Sequence, residues 1–145
     1  MAGSSRLTSI AVAFAAGFLA VLVFHQGLVA VFSAAGIAPP NFAPWSFDPI
    51  PPWGVPSVVS KAFWGGVWAV VLGLVMAGRQ GAVYWLGWML LGAIAPPLVA
   101  IFVVPVIKGG PPLDFWSRFP LSATINAAWG LGTAVFLRLL AAPEH

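Results

Sequence analysis

The chain has 145 residues, of which 61% are hydrophobic and 6% charged, whereas soluble domains carry roughly 25% charged residues. Its six basic and three acidic side chains are too few to cover the surface of a water-soluble fold, so the composition indicates a single integral membrane domain over residues 1–145. The dispersed basic residues exclude a nucleic-acid-binding stripe, and the lack of cysteine excludes disulfides and thiolate metal sites.

Four apolar stretches follow one another along the chain, and each is long enough to cross hydrocarbon about 30 Å thick. Every backbone polar group must be satisfied internally in lipid, so the stretches predict an all-α membrane protein with four transmembrane helices. The predicted helices cover residues 7–35, 57–77, 82–106 and 121–141. The two long connections, residues 36–56 and 107–120, are the predicted outer loops.

The even number of helices predicts that both termini lie on one side of the membrane. The basic residues divide evenly between the two sides, so the positive-inside count does not fix the orientation. The long outer loops are rich in proline and tryptophan, and tryptophan favours the membrane–water interface. Placing these loops outside predicts that both termini are cytoplasmic.

The second and fourth helices share a pattern, as do the first and third. Trp64-Gly65 and Trp129-Gly130 occupy equivalent places in the even helices. The odd helices share the segments 28–32 and 98–102. The matches predict two tandem helical hairpins related by a parallel pseudo-two-fold repeat, with its axis along the membrane normal.

Several motifs resemble an uncharacterised family of small four-helix bacterial inner-membrane proteins. The resemblance rests on Phe24-His25-Gln26, Ala43-Pro44-Trp45-Ser46, Pro51-Pro52-Trp53-Gly54-Val55-Pro56, Phe63-Trp64-Gly65-Gly66 and the segment 126–133. It implies a multi-pass protein of the bacterial inner membrane. It carries no activity, ligand or partner to this chain.

Four polar residues inside the predicted helices form a candidate intramembrane cluster, because polar groups in lipid are costly unless paired. They are His25, Gln26, Lys61 and Asn126. All four lie in the outer half of the membrane. Lys61 can reach the interface with its long side chain, whereas Asn126 is short and needs a partner in the protein. Lys61, His25 or Gln26 could each serve as that partner.

No catalytic motif, metal-ligand set or cofactor-binding motif is present, so the sequence predicts a protein that is not an enzyme and holds no cofactor. The first hypothesis is a non-catalytic subunit or assembly factor of a membrane complex. A small-molecule carrier or channel that acts as an oligomer is the second. A redox subunit that binds a cofactor through His25 is the third. The expected partners are the lipid bilayer and a membrane protein or a second copy of the chain, with no nucleic acid.

Overall fold

Four helices are long and apolar enough to cross a membrane, as the sequence predicts. The computed structural model describes residues 2–39 and 42–141. The helices are α1 (Ala2–Ala20), α2 (Gln26–Ala34), α3 (Ser57–Met76), α4 (Gly81–Leu98), α5 (Val104–Ile107) and α6 (Phe115–Leu140). A π-helical turn, Val21–His25, joins α1 to α2 as the first span, and a second one, Val99–Val103, joins α4 to α5 as the third span. The second span is α3 and the fourth is α6.

The fourth span begins earlier than residue 121, the predicted start. Its N-cap is Asp114, whose carboxylate accepts a hydrogen bond from the Ser117 backbone N–H at 2.9 Å. This cap satisfies an otherwise free N–H of the first turn, so the helix starts at Phe115. Pro120, one residue before the predicted start, therefore lies inside the helix. The outer loop shortens to residues 108–114.

The other outer loop contains a small antiparallel hairpin that the all-α prediction did not include. Its strands are β1 (Pro49–Ile50) and β2 (Val55–Pro56). Two backbone bonds tie the loop to the start of α3: the N–H of Ser57 donates to Asp48 O at 2.9 Å, and the N–H of Val58 to Ser46 O at 2.8 Å. The loop is thereby held against the second span.

The four spans do not pack evenly around the bundle. The first span packs against both α3 and α6, and α4 packs along α6, whereas α3 and α4 touch only sparsely. Glycine allows two of the close crossings. A Cβ atom at Gly17 would overlap the Gly65 carbonyl oxygen, and one at Gly130 would overlap the Trp88 carbonyl oxygen. Small residues are the usual means of close approach between membrane helices.

Two buried aromatic side chains of the core, Trp129 and Tyr84, have their polar atoms bonded across the spans, whereas the indole N–H of Trp88 has no partner among the described residues. The indole N–H of Trp129 donates to Gly17 O in α1 at 3.1 Å. The hydroxyl of Tyr84, on α4, donates to Ala134 O in α6 at 2.7 Å. These bonds fix the first and third spans to α6, which is therefore the central helix of the bundle.

Candidate functional site

The open seam between α3 and the third span holds a cavity of about 660 Å³. Small-molecule sites in proteins commonly measure about 300–1,000 Å³. Trp64 lines the cavity and is 57% exposed. The cavity therefore reaches the outer surface of the bundle between two membrane spans, where hydrocarbon would surround it.

Most of the cavity wall is apolar. The side chains from α3 are Trp64, Val67, Trp68 and Val71, and those from the third span are Pro96, Val99, Ala100 and Val104. The buried Trp129 of α6 also lines the cavity. Such a wall suits an apolar ligand body. A hydrocarbon chain in this cavity would stay in surroundings as apolar as the lipid, without exposure to water.

The polar residues of the cavity collect toward its loop end. They are His25, Ser60, Lys61, Lys108, Ser122 and Asn126. Three members of the predicted intramembrane cluster, His25, Lys61 and Asn126, therefore line a single cavity. The fourth, Gln26, does not line it: the residue is fully buried and contacts His25.

Gln26 fixes the tautomer of His25. The Gln26 side-chain oxygen accepts the Trp45 backbone N–H at 2.8 Å, so its amide nitrogen faces His25 Nδ1, at 2.9 Å. An amide nitrogen can only donate, and therefore Nδ1 must accept and carry no proton. In the neutral ring the proton is then on Nε2, which makes this nitrogen a hydrogen-bond donor at a residue that lines the cavity.

Asn126 finds its partner on its own helix, and not in Lys61, His25 or Gln26. Its amide nitrogen donates to the Ser122 carbonyl one turn earlier at 2.9 Å. Asn side chains commonly bond to nearby backbone in this way. The Asn126 carbonyl oxygen has no hydrogen-bond donor among residues 2–39 and 42–141, so it remains an acceptor at the cavity.

The charge at the polar end is positive. Lys61 lies one turn into α3 and Lys108 directly follows α5, and both line the cavity. The Lys61 ammonium lies 5.7 Å from the ring centroid of Phe42, in the outer loop. No Asp or Glu lines the cavity among the residues whose positions are described. An anion at this end would therefore meet two ammonium groups and no carboxylate.

The π turn of the first span places the outer loop over the cavity. In this turn the Gln26 N–H bonds to Val21 O instead of Leu22 O. The freed Leu22 carbonyl accepts the indole N–H of Trp45 at 2.7 Å. π turns are often found at functional sites, and this one supplies the attachment point for the loop.

Near the second π turn, too, a carbonyl of the helix accepts a hydrogen bond from the outer loop. Pro105 lacks an N–H, so it cannot donate to the carbonyl of Ile101 one turn earlier. The backbone N–H of Leu113 donates to Ile101 O instead, at 2.9 Å. Each outer loop is therefore attached by a hydrogen bond to a carbonyl that has no partner within its own irregular helix.

The outer loop at residues 42–56 covers the loop end of the cavity. Ile50 of β1 lines the cavity directly, Phe42 lies over Lys61, and Trp45 is bonded to the first span. We call this segment the cover loop. It lies over the Lys61 side of the polar end, whereas Lys108 is exposed, and it leaves the side opening free.

Removing the indole N–H of Trp45 should loosen the cover loop. We expect Trp45→Phe to lower the free energy of unfolding by about 0.5–1.5 kcal/mol, because the Leu22 carbonyl loses its donor. Reversible unfolding in mixed detergent micelles measures the change. Trp53→Phe is the matched control in the same loop: Trp53 is 87% exposed, so its indole should contribute little. Equal effects of the two substitutions would contradict the attachment.

A metal or haem role for His25 would need further ligands. Residues 2–39 and 42–141 bring together no group of three His, Cys, Asp or Glu side chains. The only other histidine of the sequence, His145, lies outside the described residues. The residues that do surround His25 are suited to hydrogen bonding with an organic ligand.

Comparison with protein-family models, curated proteins and solved structures found no match for this chain. The site therefore has to be interpreted from its own residues. Sequence reasoning did not identify Lys108, the Trp45 attachment or the apolar wall as parts of it. The position of Lys108 could have identified it as part of the site, since it is the first residue after the third span and lies at the same end of the bundle as Lys61.

Proposed function

We propose that the protein binds an amphipathic anion from the bilayer, and carries it within the membrane, without covalent chemistry. One observation carries the proposal: a cavity with an apolar wall is open sideways between two spans and has its cationic, hydrogen-bonding groups at one end. An apolar tail would stay in hydrocarbon-like surroundings along this wall. The anionic head would lie beside Lys61 and Lys108.

The polar end suits a compact head group such as a carboxylate or a phosphate. Ammonium groups form strong charge-assisted hydrogen bonds with such anions, and the His25 Nε2–H adds a neutral donor. The anion would also stabilise the Lys61 ammonium, because a cation within the membrane is costly unless it is paired. The Asn126 carbonyl oxygen would accept a bond from a hydroxyl group next to the anion.

Binding of a long-chain fatty carboxylate, compared with its methyl ester, tests the proposal. The purified protein in detergent should bind the carboxylate, and Lys61→Gln should weaken this binding about 10- to 100-fold, since a hydrogen bond to a charged group contributes about 1.5–3 kcal/mol. Arg118→Gln removes an exposed charge outside the cavity and is the control. Equal affinity for the ester, or no effect of Lys61→Gln, would sink the proposal.

A role as a subunit or assembly factor of a membrane complex is the second candidate. It is favoured by large aromatic side chains that lie exposed at the loop end, Phe47, Trp53 and Trp116. Exposed aromatic groups occur both at protein interfaces and at the membrane–water boundary. Co-purification in mild detergent distinguishes the two: a stoichiometric partner that is lost on Trp53→Ser would support the subunit role.

We also propose that the two hairpins are related by a two-fold repeat. The glycine contacts support this axis, whereas the packing between spans departs from it. Gly65 packs on α1, and the equivalent Gly130 packs on α4, as the proposed axis requires. The same axis would relate the α1–α6 contact to the α3–α4 contact, yet the former is close and the latter sparse. We propose that the α1–α6 and α3–α4 contacts are equivalent in the repeat and that the cavity lies at the looser one, between α3 and α4. A second copy of the chain could also pack against this side.

We further propose that the protein lies in a bacterial inner membrane with both termini cytoplasmic. The four spans and the aromatic residues of the outer loops support this orientation. Alkaline phosphatase is active only outside the cytoplasm, so a fusion after His145 should be inactive and a fusion within the cover loop active. The reverse pattern would overturn the orientation.

A further inference from the structure

A second, smaller pocket lies at the opposite end of the bundle from the cover loop. Its volume is about 250 Å³. It is formed where α3 ends, α4 begins and α6 ends. These helix ends mark the level at which the spans leave hydrocarbon, so the pocket lies at the depth of lipid headgroups.

Two arginines line this pocket, Arg79 from the α3–α4 turn and Arg138 from the last turns of α6. The Arg138 guanidinium carbon lies over the ring of Tyr84, 4.2 Å from the ring centroid. The Tyr84 hydroxyl is itself bonded to Ala134, so the ring is fixed and holds the guanidinium in place. A guanidinium carries five N–H donors, more than its contact with Tyr84 can use, so donors remain for an anion.

The beginning of α4 lies next to the same pocket, which Gln80 and Tyr84 line. Gln80 is the N-cap of this helix and makes no side-chain capping bond, so the first N–H groups of α4 are left without a side-chain cap. Uncapped helix starts favour anions because of these N–H groups and the helix dipole. No Asp or Glu lines the pocket among the residues that the structure describes.

We propose that this pocket binds a phosphate group, with Arg79 and Arg138 as its two charged contacts. Arginine pairs with phosphate through two parallel hydrogen bonds, which makes it suited to this anion. The phosphate can be that of an anionic membrane phospholipid or a soluble phosphate. The position of the pocket at the membrane surface favours the lipid. This site is independent of the function proposed for the larger cavity.

Native mass spectrometry and thermal unfolding of the detergent-solubilised protein test this site. Phosphatidylglycerol should remain bound and raise Tm more than inorganic phosphate does. Arg79→Gln and Arg138→Gln should each weaken phosphatidylglycerol binding about fivefold and the double variant about 30-fold, since each basic residue near a membrane surface contributes about 1 kcal/mol. Arg118→Gln, at the loop end of the bundle, is the charge-matched control.

The remaining outcomes decide the source of the phosphate or overturn the site. Equal stabilisation by inorganic phosphate, lost in the double variant, would support the site and assign it a soluble ligand. A loss in Arg118→Gln as large as in the two pocket variants would show that general charge attraction is sufficient, and would overturn the proposal. Undiminished binding to a folded double variant would overturn it too. Arg79→Gln alters only an exposed turn, so its fold should be intact.

Discussion

Val71→Trp should weaken binding of an anionic amphiphile about tenfold or more. Val71 lies on the cavity wall where α3 faces the third span, and the indole would fill the space that a ligand tail requires. The substitution leaves Lys61, Lys108 and His25 unchanged, so it tests the tail site separately from the head site. Equilibrium binding of a radiolabelled fatty carboxylate measures the effect.

Val75→Trp is the matched control for this prediction. Val75 lies one turn further along α3, is 58% exposed and does not line the cavity. The same side chain is introduced into the same helix, and the affinity should change little. Equal losses from the two substitutions would show that the ligand does not use the seam between α3 and the third span.

Gly17→Ala should destabilise the protein, whereas the same change at Gly27 should not. A Cβ at position 17 would overlap both the Gly65 carbonyl oxygen and the Ala69 side chain, whereas a Cβ at position 27 meets no atom within 4 Å. Overpacking of this kind costs about 1–3 kcal/mol. In a helix, Ala in place of an unconstrained Gly adds up to about 1 kcal/mol of stability.

Reversible unfolding in mixed micelles measures the two glycine variants. Because both lie in the first span and receive the same methyl group, differences in helix propensity cancel. A large loss at Gly17 with no loss at Gly27 is the expected result. Similar stability of the two variants would contradict the close crossing of α1 and α3.

The four spans could be predicted from hydropathy because apolar length alone decides which segments cross a membrane. Which pairs of spans pack closely could not be predicted. Nearly every face of each helix is apolar, so no amphipathic pattern marks which pair of spans leaves a seam. The early start of α6 was missed because an apolar-run criterion ignores Asp114, whose capping bond extends the helix beyond the hydrophobic stretch.

The polar part of the site was predictable because polar residues within a membrane span are few and costly. His25, Lys61 and Asn126 stood out for this reason and line one cavity. The irregular turn at Val21–His25 has no sequence signature, since the residues of a π turn are those of an ordinary helix. The bond from Trp45 to Leu22 depends on that turn and could not be foreseen without it.

Ligand protection of a cysteine within the cavity tests the central claim most directly. The chain contains no cysteine, so a single Ser60→Cys places one thiol on the cavity lining. Val59→Cys places one on the neighbouring exposed position of the same helix. We predict that a fatty carboxylate slows maleimide alkylation at position 60 and not at 59, and that its methyl ester protects less. Equal protection at both positions, or at neither, would contradict a ligand in this cavity.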